Sequence, residues 1–218
     1  ENWKESPTEP GLLHEMFAAQ AKRSPNRVVV EFGTETLTYG ELDLRSNQMA
    51  NLLRSLGVTS EAVVGVCTKR GFDMVVAVLA VLKAGGAYLS IDPELPAARM
   101  EAIIEDAGAR VVLTHGAFLQ QLPARNLRLI CLDEDRDAIA RESTELTPAQ
   151  VQPEHLAYLM FTSGSTGRPK GGEVTHEAVV NFLVSMRDEP GLGPEDVVLA
   201  LTTLSFDISI LEVGEGVV

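Results

Sequence analysis

The chain has 218 residues, of which 45% are hydrophobic and 22% charged, and its 31 acidic and 18 basic side chains give a net charge of −13. This balance is typical of a folded globular protein and excludes a disordered acidic tail, a collagen and a bare coiled coil. Phosphate contacts dominate nucleic-acid affinity, so we expect no binding of nucleic acid through a broad basic face. A small anion can still bind where backbone N–H groups or a lysine supply positive potential.

Residues 1–10 are polar and rich in proline, and we interpret them as a linker or arm before a globular part that begins at residue 11. They contain no apolar core of the signal-peptide type. The longest apolar run, 74–82, is too short to span a bilayer, so we expect no membrane partner. Cys67 and Cys131 lie in β-branched runs and are interpreted as inert buried thiols, which favours a reducing, cytoplasmic location.

The predicted elements alternate between helices and strands along the chain. A helix over 12–20 ends near Ser24, and strands over 28–32 and 35–37 flank a turn. Thr38 and Glu41 form a capping box that begins a helix ending at Gly57. The later predicted strands are 62–67, 87–91, 110–114, 127–132, 156–162 and 197–202, and the later predicted helices are 72–84, 97–107 and 175–186.

This alternation predicts an α/β fold with a mostly parallel sheet that helices cover on both faces. Residues 133–155 are the most charged and least periodic part of the chain and are interpreted as a surface excursion. One domain fits the pattern, and a boundary near 140–155 is the alternative.

An apolar strand runs into a glycine- and hydroxyl-rich loop, predicted over 163–172, at the carboxyl end where α/β sheets bind ligands. Two glycines permit positive φ, so successive N–H groups can converge on an anion. The candidate phosphate-binding residues are Thr162, Ser163, Gly164, Ser165, Thr166, Gly167 and Lys170. The alternative is a surface turn of small residues.

The loop differs from the Walker pattern, because Pro169 precedes Lys170 and Gly171 follows it. The chain also lacks a G-x-G-x-x-G segment, so a dinucleotide is not indicated.

Four segments, in this order, resemble core motifs of the adenylate-forming superfamily and, more narrowly, of the adenylation domains of nonribosomal peptide synthetases. They are LTYGEL at 37–42, LKAGGAYLSIDP at 82–93, LAYLMFTSGSTGRPKG at 156–171 and TLSFDIS at 203–209. Ser90 stands where the family usually has proline, and Phe161 stands where it usually has tyrosine. The resemblance covers almost the whole chain and identifies 11–218 with the N-terminal portion of the family's large subdomain.

The resemblance implies that an amino acid is activated with ATP as an aminoacyl adenylate and passed to the phosphopantetheine thiol of a peptidyl carrier domain. A condensation domain of the same synthetase would be a further partner, and antibiotic biosynthesis the wider role. The loop residues would hold the leaving pyrophosphate, with Thr162 and Lys170 acting at the reaction centre and Mg²⁺ sharing the charge. No metal-ligating residue is assigned.

The resemblance also implies that Asp207 pairs with the substrate's α-ammonium group, since a desolvated cation needs an opposite charge. The alternative for Asp207 is the N-cap of a following helix. Phe206, Ile208 and Leu211 would shape the side-chain pocket and favour a small or apolar amino acid, with glycine as the first candidate.

The remaining titratable residues are given structural roles. His14, His115, His155 and His176 lack metal-site spacing. His176 is close to the loop in sequence, and we expect a surface or capping role for it, with approach to the ligand as the alternative. Lys83 is expected to complement the dipole at a helix end.

Two other functions remain open from the sequence: an acyl or aryl acid–CoA ligase of the same superfamily, and a truncated nucleotide-binding module without turnover. The family's ribose-binding segment, part of its metal site and its mobile lid are absent from these 218 residues. We therefore expect the isolated chain to be inactive.

Overall fold

The fold is described here from a computed structural model, for residues 11–123, 126–162 and 170–186 together with Gly191 and Val198. The helices are α1 (Leu13–Arg23), α2 (Tyr39–Ser55), α3 (Phe72–Ala84), α4 (Ala97–Asp106), α5 (Arg136–Ile139) and α6 (His176–Met186). The strands are β1 (Val28–Phe32), β2 (Glu35–Thr38), β3 (Val63–Cys67), β4 (Ala87–Ser90), β5 (Val111–Thr114), β6 (Arg128–Cys131), β7 (Leu156–Thr162) and β8 (Lys170–Thr175).

The larger sheet of the described residues has the strand order β6-β5-β3-β4-β7-β8. Every neighbouring pair in it is parallel except β7 and β8, which are antiparallel. Strands β1 and β2 form a separate antiparallel hairpin. The predicted mostly parallel α/β sheet is therefore confirmed.

Two hydrophobic cores lie on opposite faces of this sheet. Tyr88 of β4 and Leu113 of β5 belong to the core that packs against α1, α2, α3 and α6. Leu89 and Val112, their neighbours along the same strands, belong to the core that contains α4. Because successive side chains of a strand point to opposite faces, the continuous apolar strands are covered on both sides, as predicted.

The predicted helix ends are set by the expected local chemistry. Thr38 Oγ1 accepts a hydrogen bond from Glu41 N at 3.3 Å, and Glu41 Oε2 accepts one from Thr38 N at 2.9 Å, which completes the capping box of α2. Gly85 ends α3 in the left-handed region, with φ of 101°.

The predicted loop over 163–172 is too long at its end. Strand β8 already begins at Lys170 and pairs with the last residues of β7, so 170–172 belong to a strand. The prediction was wrong here because glycines disfavour strands locally, whereas the ladder to β7 supplies hydrogen bonds that offset this preference.

Candidate nucleotide-binding site

The predicted phosphate-binding loop begins at the carboxyl edge of the parallel sheet. Strands β3, β4 and β7 are parallel, so their carboxyl ends lie on one edge, and β7 ends there at Thr162. Thr162 lies directly opposite Lys170 in the β7–β8 ladder, so the two residues that flank the connection 163–169 are adjacent on the sheet. Open α/β sheets bind their ligands at this edge.

A ring-on-glycine contact forms the stem of this loop. Phe161 pairs with Gly171 across the two strands. A Cβ atom added to Gly171 would lie 3.0 Å from Phe161 Cζ, so the ring covers the glycine backbone. A side chain at position 171 would make the ring shift slightly, and glycine lets the aromatic side chain lie across the hairpin without this shift.

Most of the predicted site residues lie outside the described residues. These are Ser163, Gly164, Ser165, Thr166 and Gly167 of the loop, and Phe206, Asp207, Ile208 and Leu211 of the predicted pocket. The backbones of Thr162 and Lys170 are brought together at the loop's two ends. The roles of all these side chains stay predictions.

Two tyrosines join the loop-bearing strand to the parallel core. Tyr88 of β4 lies opposite Tyr158 of β7, with ring centroids 5.3 Å apart. Tyr88 is fully buried, and its hydroxyl has no hydrogen-bond partner in the part of the chain that the structure describes. Burial raises the pKa of Tyr88 well above its ordinary value, so the phenol stays neutral and acts in packing.

His176 is buried, so the predicted surface or capping role is wrong. It is the first residue of α6, and its ring packs edge-on against His14 of α1 with centroids 5.5 Å apart. Thr175 provides the cap instead, because its Oγ1 accepts a hydrogen bond from Ala178 N at 3.3 Å. The apolar neighbours of His176 on α6, Val179 and Val180, were the sequence signal for a buried position.

Both histidines of this pair are neutral at pH 7. Burial, with His176 and Lys83 nearby, lowers the pKa of His14 to about 3. Burial, with His155 nearby, lowers the pKa of His176 to about 4. Among the described residues, His14 Nδ1 and both ring nitrogens of His176 have no hydrogen-bond partner, so a proton added to either ring would create an unpaired buried charge.

Lys83 lies in a buried polar cluster that sequence reasoning missed. Its side chain is 3% exposed, and Nζ donates to Asp43 Oδ1 at 2.6 Å, Ser46 Oγ at 2.8 Å and Asn47 Oδ1 at 2.7 Å. Burial lowers the pKa of Lys83 to about 8, although Asp43 opposes this shift. Lys83 thus links α3 to α2, a role indicated by its position within the otherwise apolar run of α3 rather than by the helix dipole.

The described ranges contain no group of three or more His, Cys, Asp or Glu side chains that could hold a metal ion. Cys67 and Cys131 are buried free thiols, as predicted. None of the described helices is long and apolar enough to cross a membrane.

A mostly parallel sheet, with a glycine- and hydroxyl-rich sequence following a strand at its carboxyl edge, defines the class of α/β nucleotide-binding proteins. The sequence model of the family described as "AMP-binding enzyme" matches residues 17–214. The chain therefore belongs to the AMP-binding enzyme family.

Relatives of the chain include gramicidin and plipastatin synthases. A linear gramicidin synthase polypeptide of Brevibacillus parabrevis is 39% identical over 201 residues, which are 92% of this chain and 3% of that protein. A plipastatin synthase polypeptide of Bacillus subtilis (strain 168) is 42% identical over 201 residues, which are 91% of this chain and 8% of that protein. The chain thus spans a small fraction of these relatives.

A solved structure shares the fold across nearly the whole chain. It is the nonribosomal peptide synthetase FmoA3 with α-methyl-L-serine-AMP bound, at a TM-score of 0.91 and 35% identity, covering 99% of this chain and 24% of that one. The predicted resemblance to a nonribosomal peptide synthetase adenylation domain is confirmed.

Proposed function

We propose that the chain is part of an adenylation domain that activates an amino acid as its aminoacyl adenylate, with the 218 residues inactive on their own. In this reaction the substrate carboxylate attacks the α-phosphorus of ATP and pyrophosphate leaves, and the acyl group then passes to the phosphopantetheine thiol of a carrier domain. The observation that carries the proposal is that Thr162 and Lys170, the residues flanking 163–169, pair with each other at the carboxyl edge of the sheet. The family match over 17–214 and the adenylate-bound FmoA3 structure support it.

The loop holds the leaving pyrophosphate. Its N–H groups and the hydroxyls of Thr162, Ser163, Ser165 and Thr166 donate hydrogen bonds, and the Lys170 ammonium supplies positive charge. Positioning and charge neutralisation carry most of the catalysis, because the chemistry is a displacement at phosphorus. Mg²⁺, which the resemblance implies, would share the negative charge of the phosphates.

Asp207 binds the α-ammonium group, and Phe206, Ile208 and Leu211 line the side-chain pocket. An ammonium withdrawn from water needs an opposite charge, and a charge-assisted hydrogen bond is about twice as strong as a neutral one. The small set of apolar residues favours a small or apolar amino acid, with glycine as the first candidate. A carrier domain and a condensation domain of the same synthetase are the proposed partners.

Amino-acid-dependent ATP–pyrophosphate exchange by the natural polypeptide that carries this chain tests the proposal. We expect Lys170→Ala to lower kcat by about 10²- to 10³-fold, the range for removing one donor to developing charge. Lys22→Ala, which changes an exposed lysine of α1, is the matched control and should leave the rate unchanged. ATP binding that needs Lys170 without any exchange would indicate a nucleotide-binding module in place of an enzyme.

The substrate class is tested through Asp207. For an amino acid, we expect Asp207→Asn to lower kcat/KM by about 10²-fold, because a buried ammonium loses its counter-charge. For the matching carboxylic acid without the α-amino group, the same variant should change little. Equal use of both acids by the unsubstituted protein would favour an acyl or aryl acid ligase.

A further inference from the structure

The connection between β6 and β7 has an unusual construction. It carries the chain from the edge strand of the sheet back to a strand beside β4, as a parallel crossover must. Such crossovers usually contain a packed helix, but this one contains the four-residue helix α5, and residues 140–150, which we call the strap, form neither helix nor strand. The strap is mostly exposed, and several of its backbone carbonyls accept hydrogen bonds from side chains elsewhere in the chain.

Most of these donors are side chains of α2, and Ser60 Oγ, which lies after α2, donates to the Gln150 carbonyl at 2.7 Å. Asn51 Nδ2 donates to the carbonyls of Ser143 at 2.7 Å and Glu145 at 3.0 Å. The other α2 donors are Gln48 to Ala140 and Glu142, Asn47 to Thr144, and Arg54 to Thr147. Within the strap these donors bind main-chain carbonyls, so the hydrogen bonds from α2 do not depend on which side chains the strap carries.

The donors lie along one side of α2 and are themselves fixed. Residues 47, 51 and 54 follow each other at helical spacings of four and three. The Lys83 ammonium donates to Asn47 Oδ1, which orients that amide toward the strap. Arg54 NH2 also donates to the Lys83 carbonyl at 2.6 Å, so one guanidinium joins α2, the end of α3 and the strap.

The strap leads directly into the strand that begins the phosphate-binding loop. Strand β7 pairs with β4 through Tyr88↔Tyr158 and Leu89↔Leu159, a shorter ladder than those joining β3 to its two neighbours. The turn between strap and β7 is tied to α6, because the carbonyls of Pro153 and His155 accept hydrogen bonds from Glu177 N and His176 N. The β7–β8 hairpin, which carries the loop, is thus attached to the parallel core by the short β4–β7 ladder and by the chain segments that flank the hairpin.

We propose that Asn51 and Arg54 are positioning residues, which hold the strap and thereby fix β7 and the stem of the phosphate-binding loop. This inference rests on the proposed function for its effect on nucleotide binding. The hydrogen bonds themselves are independent of any ligand.

Hydrogen exchange in the full natural polypeptide tests the mechanical part. We expect Asn51→Leu to raise the exchange rates of β7 and β8 amides about tenfold, since the two hydrogen bonds from Asn51 to the strap are lost. Amides of β3 and β5 should keep their rates. Asn51→Leu is the decisive variant because Asn51 binds only the strap, and Arg54→Ala should act in the same direction.

Two controls separate the proposal from general destabilisation. Arg45→Ala removes an exposed arginine of the same helix, and Thr144→Ala keeps the strap carbonyl that Asn47 binds. Neither should change exchange in β7 or β8. Unchanged β7 and β8 rates in Asn51→Leu, or rates raised equally in β3 and β5, would overturn the proposal.

Kinetics test the positioning part. Asn51→Leu should lower kcat/KM for ATP by about 3- to 10-fold, because a displaced loop positions the leaving pyrophosphate less well. Arg45→Ala should leave kcat/KM unchanged, and an unchanged kcat/KM in Asn51→Leu would contradict this role. If the unsubstituted protein shows no ATP-dependent reaction, the proposed function fails, while hydrogen exchange still decides whether α2 holds β7 through the strap.

Discussion

Gly86, between α3 and β4, shows how a single residue can be constrained by backbone rather than by side chains. A Cβ atom at this position would lie 2.7 Å from the Ala62 carbonyl oxygen and 3.1 Å from Val58 Cγ1. The same carbonyl accepts a hydrogen bond from Ala87 N at 3.0 Å, at the start of the β3–β4 pairing. A side chain here would therefore disturb the central ladder.

Gly86→Ala should lower the free energy of unfolding by about 1–3 kcal/mol, the range for forcing extra volume into a packed site. Urea unfolding followed by circular dichroism measures this change. Gly11→Ala is the matched control, because a Cβ there meets Met16 at an ordinary 3.6 Å. Equal stabilities of the two variants would contradict the backbone clash.

The Lys83 cluster permits a second prediction at the residue scale. Asp43→Asn should destabilise the protein more than Lys83→Met does. The first change leaves an ammonium with its side chain 3% exposed and no counter-charge, whereas the second leaves a carboxylate that is 32% exposed and reached by water. Urea midpoints of the two variants test the order, and a larger loss for Lys83→Met would refute it.

Between elements, the His14–His176 contact makes the packing of α1 against α6 sensitive to acid. Both folded-state pKa values, about 3 and about 4, lie below the ordinary 6.5. The unfolded state therefore binds more protons below pH 6.5. The stability that the neutral pair contributes is present above pH 6.5 and is lost as the pH falls toward 4.

We expect the free energy of unfolding to fall between pH 6.5 and 5, above the range where most carboxylates titrate. His176→Phe should reduce this dependence, because a phenyl ring fills the site without accepting a proton. The control is His155→Gln, which replaces a partly exposed histidine and should retain most of the pH dependence of the free energy of unfolding. Urea titrations at several pH values measure it, and an unchanged slope in His176→Phe would exclude this contact as its source.

At the scale of the whole molecule, the reactivities of the two cysteine thiols report local opening and global unfolding separately. Cys67 ends the central strand β3 and is fully buried, and burial raises the pKa of its thiol to about 12. Cys131 ends β6, the outermost strand on its side of the sheet among the described residues, and is 6% exposed, with a pKa raised to about 11 by burial and by Asp133. An edge strand is released by local opening, whereas a central strand requires global unfolding.

A thiol reagent at pH 7 should therefore label Cys131 before Cys67 in the native protein, with both rates far below those in urea. Mass spectrometry of the labelled peptides follows the two sites separately. Cys131→Ala supplies a control in which the remaining label reports Cys67 alone. Labelling of Cys67 at the rate of Cys131 would contradict the strand order.

Structural features that depend on neighbouring residues were predicted well, whereas features that depend on residues distant in sequence were missed. Helix α3 and strand β7 were predicted with their observed bounds, since apolar periodicity, glycine and capping residues act within a few residues. The extension of β8 back to Lys170 was missed because its partner, β7, supplies the hydrogen bonds that glycines alone do not favour. The candidate loop was found from its own composition and a motif resemblance.

The sequence by itself determined the α/β class, the capping of α2, the family and the position of the candidate loop after a buried strand, because each depends on neighbouring residues. Only the tertiary structure decided that Lys83 is buried against α2, that His176 packs on His14, and that α2 side chains bind the strap carbonyls. These contacts join residues distant along the chain. Their formation depends on which helix faces pack against each other on one side of the sheet, and the local sequence pattern does not specify this.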